Sequence, residues 1–130
     1  MDKRGGVLLR IDGTLHFVPA SVALAISPAP EITRVPGAPE QLLGVALHDG
    51  DVVPVIAIGA ARGAMLVCSY LGEKLGFMGA DIEGTGLYEP DGDGDKRDAV
   101  RHRGESARSL DIATLYARVQ GEGWAGRWRA

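Results

Sequence analysis

Asp49-Gly50 stands between two apolar runs, residues 42–47 and 52–58. Nothing else in the chain narrows its folding options as much. Asp-Gly suits a two-residue type I′ hairpin, because both central residues take φ > 0 and Gly does so without steric cost. The return run is apolar at successive positions, which predicts a strand buried on both faces. Pro54 removes one ladder donor, which predicts an edge strand or a bulge. Upstream, Pro36 and Pro39 bracket Gly37-Ala38 and fix the backbone, so no helix continues into the hairpin. Residues 31–58 therefore read as a proline-gated turn followed by a β-hairpin.

The same signals recur on both sides. Residues 7–11 read as a strand, and Asp12-Gly13 is a second hairpin turn. Leu15, Phe17 and Pro19 alternate with Thr14, His16 and Val18, which predicts a half-buried strand with His16 on the other face. Residues 21–26 fit a short helix or a strand, ended by Ser27-Pro28-Ala29-Pro30. Residues 59–63 form a connector and 64–71 a strand. Gly72-Glu73 offers a II′-type turn into residues 75–78. A strand beginning at Ile82 is interrupted by Gly84 and Gly86. Residues 88–98 read as a polar loop and 100–103 as a short exposed strand. Ser109 and Asp111 are candidate caps, and Ile112, Leu115, Tyr116 and Val119 recur at helical spacing, so one helix is expected. Asn is absent, so the tight turns must be built from Gly, Asp and Pro.

A chain of 130 residues accommodates one domain or two small fused barrels. Its net charge of −3 gives nucleic-acid binding no electrostatic support. Cys68 is the only cysteine, so no internal disulfide forms, as suits a reducing cytoplasm. Arg10 and Asp12 interrupt any signal-peptide apolar core. The longest uncharged run, 17–30, holds three prolines and falls short of the roughly twenty apolar residues a membrane span needs. The expectation is a soluble cytoplasmic protein with no direct membrane insertion.

Ile32-Thr33, Val35-Pro36, Pro39, Gly44-Val45, Gly50 and Pro54-Val55-Ile56 together resemble the CheW-like domain family, adaptors of bacterial chemosensory arrays. The resemblance spans about residues 7–119. It implies an all-β fold of two SH3-like five-stranded β-barrel lobes with one C-terminal α-helix. The expected division is lobe one at about 7–60, lobe two at about 61–110, the helix at about 111–119 and a tail at 120–130. It favours a turn leading into a strand at 21–26. A short echo agrees with two lobes: Leu15, Phe17 and Ala20 recur as Leu75, Phe77 and Ala80.

The resemblance also implies a role: a non-catalytic adaptor, without cofactor, that links chemoreceptor cytoplasmic tips to the regulatory domain of a CheA-type histidine kinase. Carried over by position, the partner-binding surface is the hairpin around His48, Asp49 and Gly50, with Val45 and Val53 as nearby apolar contacts. Two positions depart from the family pattern. Asp49 stands where the family has Arg, and Ala57 where it has Asp.

The alternative is a small metal-dependent regulator or enzyme using the 91–95 acidic run or Cys68. Asp91, Asp93 and Asp95 alternate as in the first half of a calcium loop, but Lys96 and His102 occupy the places that an EF-hand gives to Gly and Glu. A solvated turn is the plainer reading. Cys68 lies in an apolar strand, and His16, His48 and His102 are dispersed, so neither a Cys-His pair nor a zinc site is indicated. No glycine-rich phosphate-binding spacing opens a helix. Arg34 and Glu40 read as surface charges. Trp124 and Trp128, beside Arg127 and Arg129, either pack on the barrel, dock to a partner or fray.

Overall fold

The structure is a computed structural model and describes residues 3–91 and 99–119. Ten strands run in order: β1 (Arg4–Ile11), β2 (Thr14–Pro19), β3 (Ala23–Ser27), β4 (Leu42–His48), β5 (Asp51–Ala57), β6 (Met65–Tyr70), β7 (Glu73–Met78), β8 (Asp81–Pro90), β9 (Ala99–His102) and β10 (Glu105–Ser109). One helix follows, α1 (Ile112–Val119). Asp111 caps it, accepting from the Thr114 N–H at 3.1 Å and the Thr114 hydroxyl at 2.8 Å.

The strands form two five-stranded lobes. One is a closed barrel in the order β1-β2-β10-β9-β8, and the other has the order β3-β6-β7-β5-β4. The connection from β3 to β4 adds one isolated bridge to β4, Thr33 to Val45, with both N–H···O distances at 2.8 Å. A turn leads from that bridge into β4: the Ala38 N–H donates to the Val35 carbonyl across Pro36-Gly37, and Gly37 has φ 79°.

The expected contiguous lobes, 7–60 and 61–110, do not coincide with these sheets. β1 and β2 join β8–β10, whereas β3–β5 join β6 and β7. Each half of the chain supplies strands to both lobes. The halves are nevertheless repeats, as the ladder registers show. Val7 pairs with Val18 as Leu66 pairs with Phe77, and Leu9 pairs with Ile82 as Cys68 pairs with Ala23. Register shifts in the two copies skip Glu83 and Leu24, at matching places. The true correspondence sets Gly13 against Gly72, whereas the sequence echo set Phe17 against Phe77, one residue out of step. A slip of one residue exchanges the faces of a strand. Phe17 accordingly fills the interior of the first barrel with Leu8, Leu15, Val100 and Ala107, while Phe77 lies in a separate core with Val7, Leu9, Val18, Leu42, Ile56, Leu66 and α1.

The two interiors are filled from opposite sides. In the first barrel the Phe17 ring occupies the space above Gly6, where a Cβ would come within 2.5 Å of it. The corresponding pair in the second lobe is Met65 and Gly76, with the Met65 sulfur 2.5 Å from where a Gly76 Cβ would lie. Each lobe thus pairs one bulky side chain with one glycine, on exchanged strands.

Four hairpin turns share one backbone form. Asp12-Gly13, Asp49-Gly50, Leu71-Gly72 and Arg103-Gly104 all have φ > 0 at both residues, as type I′ requires. The third turn is therefore Leu71-Gly72 and not the expected Gly72-Glu73, because the right-handed strand twist favours I′ once the register is set. The fourth makes a hairpin of β9 and β10 where only one exposed strand was expected, and Val100 is fully buried. β8 continues through Gly84 and Gly86 to Pro90, since β1 supplies partners from Asp81 to Tyr88 and β9 takes over at Glu89 and Pro90. Pro54 lies on β5 between β7 and β4, not on an edge and not at the register shift, which falls between Leu42 and Gly44. Its missing donor is tolerated because Val45 opposite bonds to Thr33 and the β5–β7 ladder begins only at Val55.

Candidate functional site

The parallel register of β5 and β7, Val55 beside Gly76, sets the Asp49-Gly50 and Leu71-Gly72 turns at one end of the second lobe. Lys74 on β7 closes the gap, with its Nζ 2.6 Å from Asp51 Oδ2 on β5. The Lys74 hydrogen bond and charge hold the Asp51 carboxyl below its ordinary range, and Asp51 raises Lys74 in turn. Asp49 projects from the tip with its side chain 80% exposed, and its Oδ2 lies 3.5 Å from His48 Nε2. Asp51 is matched by Lys74, and Glu73 beside the second turn is half-buried and accepts from the Tyr116 hydroxyl at 3.0 Å, so Asp49 is the most exposed carboxylate of this end.

Val45, His48, Asp49 and Gly50 all lie on this hairpin, with Asp49 and Gly50 exposed and Val45 and His48 half-buried. Val53 is different: it is 0% exposed. Its place follows from pairing. Val45 opposes Pro54, so Val53 opposes Ala46 and points into the lobe, where its Cγ1 lies 3.5 Å from the Gly76 Cβ position. Val45 and Val53 occupy opposite faces, and Val53 is not a contact residue. The exposed apolar residues here are instead Leu47, 71% exposed, and Val52, 44%, a directly opposed cross-strand pair. Leu71 on the adjoining turn is 80% exposed. Neither Leu71 nor the Leu47–Val52 pair was picked out from the sequence. The alternation Val45, Leu47 against Val52, Pro54 was the available signal.

At the other end of β4 lies an open groove of about 310 Å³ lined by Arg34, Val35, Ala38, Pro39, Glu40, Leu42 and Leu43. The proline-gated turn forms one wall and the start of β4 the other.

Among the described residues the alternative chemistry gains no geometry. Asp91 is 6% exposed, receives Arg101 Nη2 at 2.7 Å, and accepts a short hydrogen bond from the Ser106 hydroxyl. It braces the β9–β10 hairpin from within. Asp93, Asp95 and Lys96 lie outside the described residues, as do Trp124, Arg127, Trp128 and Arg129. Among the described residues no three His, Cys, Asp or Glu side chains cluster as metal ligands. Cys68 is fully buried, and desolvation pushes its thiol up to about 12. The thiolate is the reactive form, so native protein should resist a thiol-specific disulfide reagent at pH 8 and react fully once unfolded in urea. Labelling of the native chain at the rate of a free thiol would contradict this burial.

The chain belongs to the CheW-like domain family: the family model for the CheW-like domain matches residues 5–85. Among solved structures it is similar to the scaffolding protein TtCheW from Thermoanaerobacter tengcongensis, at 15% sequence identity and a TM-score of 0.68. That match covers 85% of this chain and 90% of the other, and at this identity it speaks to the fold. No curated protein matches the chain by sequence. Among the described residues no helix is long and apolar enough to cross a membrane.

Proposed function

We propose that this protein is a non-catalytic cytoplasmic adaptor of a chemosensory array. It links a chemoreceptor cytoplasmic tip to the regulatory domain of a CheA-type histidine kinase. The carrying observation is that a CheW-like domain match over residues 5–85 includes a hairpin whose tip, Asp49-Gly50, stands exposed at the end of the second lobe. A contact residue held on a two-residue turn loses little freedom on binding, which favours recognition by fixed surfaces. Val45, His48, Asp49 and Gly50 are the proposed partner contacts, and no cofactor is required.

Asp49 in place of the family's Arg reverses the charge at the tip. Truncating one partner of a buried interfacial ion pair costs about 2–5 kcal/mol, so a partner suited to the ordinary Arg would be poorly met here. The array is therefore a divergent one with a complementary partner. The test is reconstitution from purified components: the native chain, the CheA-type kinase encoded in the same genome and a soluble receptor-tip fragment. Co-sedimentation of kinase with receptor only when the chain is added is the expected result. Binding to neither component would overturn the adaptor reading.

A further inference from the structure

Leu71 combines two costs. Its φ of 51° lies in the left-handed region, which a bulky L-residue adopts at a penalty, and its apolar side chain is 80% exposed. The corresponding position in the other three hairpins holds Asp12, Asp49 or Arg103, all polar. Asn, Asp or Gly would serve the Leu71 turn better by both criteria. Local strain at an exposed apolar residue points to a use outside the folded chain.

Leu71 is also not isolated. The β5–β7 register and the 2.6 Å contact between Lys74 and Asp51 bring its turn beside the β4–β5 hairpin, where Leu47 and Val52 are exposed. Asp49 borders this apolar area, and Asp51 is already matched by Lys74.

We propose that the two hairpin tips form one docking surface, with Leu71 as its apolar anchor and Asp49 as its charged border. The occupant is a protein face with an apolar depression edged by Lys or Arg. This rests on the adaptor reading and names the chemistry that the partner must present. Charge complementarity carries the choice: Asp49 is the most exposed carboxylate at this end and Glu73 adds a second negative group beside the Leu71 turn, so a cationic rim suits it. A second copy of the chain fits less well. Its net charge is −3, and the equivalent end of its first lobe is tipped by Asp12, Gly13, Arg103 and Gly104, with no large apolar side chain for Leu71 to meet.

Leu71→Asn separates docking from folding, because Asn tolerates φ > 0 and the lost leucine was in solvent. The probe is the regulatory domain of the CheA-type kinase encoded in the same genome. The variant should melt at the native temperature or a few degrees higher, yet bind about tenfold more weakly, as expected for loss of an apolar anchor. Asp49→Asn should also bind more weakly and flatten the salt dependence. Undiminished binding by Leu71→Asn would overturn the proposal, and so would a lower melting temperature, which would mark Leu71 as structural. If the native chain itself sediments as a dimer or larger and Leu71→Asn abolishes this, a second copy is the occupant and the distinct partner is refuted. Failure of the native chain to bind any kinase would count against the adaptor reading, whereas the melting arm still decides whether Leu71 is held at a cost to folding.

Discussion

Phe77→Ala is expected to lower the unfolding free energy by about 3–5 kcal/mol while leaving one cooperative transition. Phe77 is almost fully buried between the lobes. It belongs to one continuous core with Val7, Leu9 and Val18 from the first barrel, Leu42, Ile56 and Leu66 from the second lobe, and Ile112 and Val119 from the helix. Removing the ring leaves a void in a core that both lobes and the helix build together, and close packing lets it collapse only in part. The single transition follows from topology. β3–β5 depart from the first barrel's strands to join β6 and β7, and β8–β10 return to close the first barrel. Neither lobe can open without dislodging chain that belongs to the other. Urea titration followed by circular dichroism, with amide exchange read in β1 and in β6, checks both statements. Separate exchange energies for the two lobes would contradict the interlocked reading.

Gly79→Ala is expected to cost roughly 2–5 kcal/mol, through overpacking and a strained φ together. Gly79 has φ 113°, and a Cβ there would lie 2.2 Å from the Gly59 carbonyl oxygen and 2.5 Å from its nitrogen. The contact is backbone against backbone, so no rotamer relieves it. This is the junction where β7 ends and the chain leaves for β8. The Gly79 carbonyl accepts from the Ala61 N–H at 3.1 Å, and the Met78 carbonyl accepts from Ile58 at 2.8 Å. Gly59→Ala meets the same crowding without a positive φ and should cost less, about 1–3 kcal/mol. Gly13→Ala has φ 90° but open space around its Cβ position, and should cost about 1 kcal/mol. Equal losses at Gly79 and Gly13 would show that the close backbone approach contributes nothing.

Local chemistry was legible where one residue type decides the backbone. Asp12-Gly13 and Asp49-Gly50 announced their turns, and Asp111 announced its helix. Leu71-Gly72 and Arg103-Gly104 did not, because Leu and Arg are poor residues for that conformation and tertiary register imposes it. The lobe assignment failed for a related reason. Hydrophobic alternation shows that a strand has a buried face, but not which sheet it joins. The Leu15/Phe17 echo marked genuinely duplicated strands, yet matched residues rather than registers and so equated a barrel interior with the core between lobes. At the candidate site the hairpin was readable from Asp-Gly, whereas its faces were not. Val53 looked like a neighbour of Val45 and proved to point the other way, fixed by the Val45–Pro54 pairing. Leu71 joined the site only through the parallel β5–β7 ladder, a contact between strands that are distant in sequence.

The proposed adaptor surface is tested most directly by the affinity of native protein and Asp49→Arg for the regulatory domain of an ordinary CheA kinase, at low and high salt. Asp49 is exposed, so the substitution should leave stability within about 0.5 kcal/mol of native. It restores the Arg that the family resemblance places at this tip, which the adaptor reading sets against the kinase or the receptor tip. The expected result is tighter binding by Asp49→Arg, with the gain shrinking as salt screens the new charge. Equal affinities at both salt concentrations would mean that this hairpin does not touch the kinase, and the surface built on Asp49 would be contradicted.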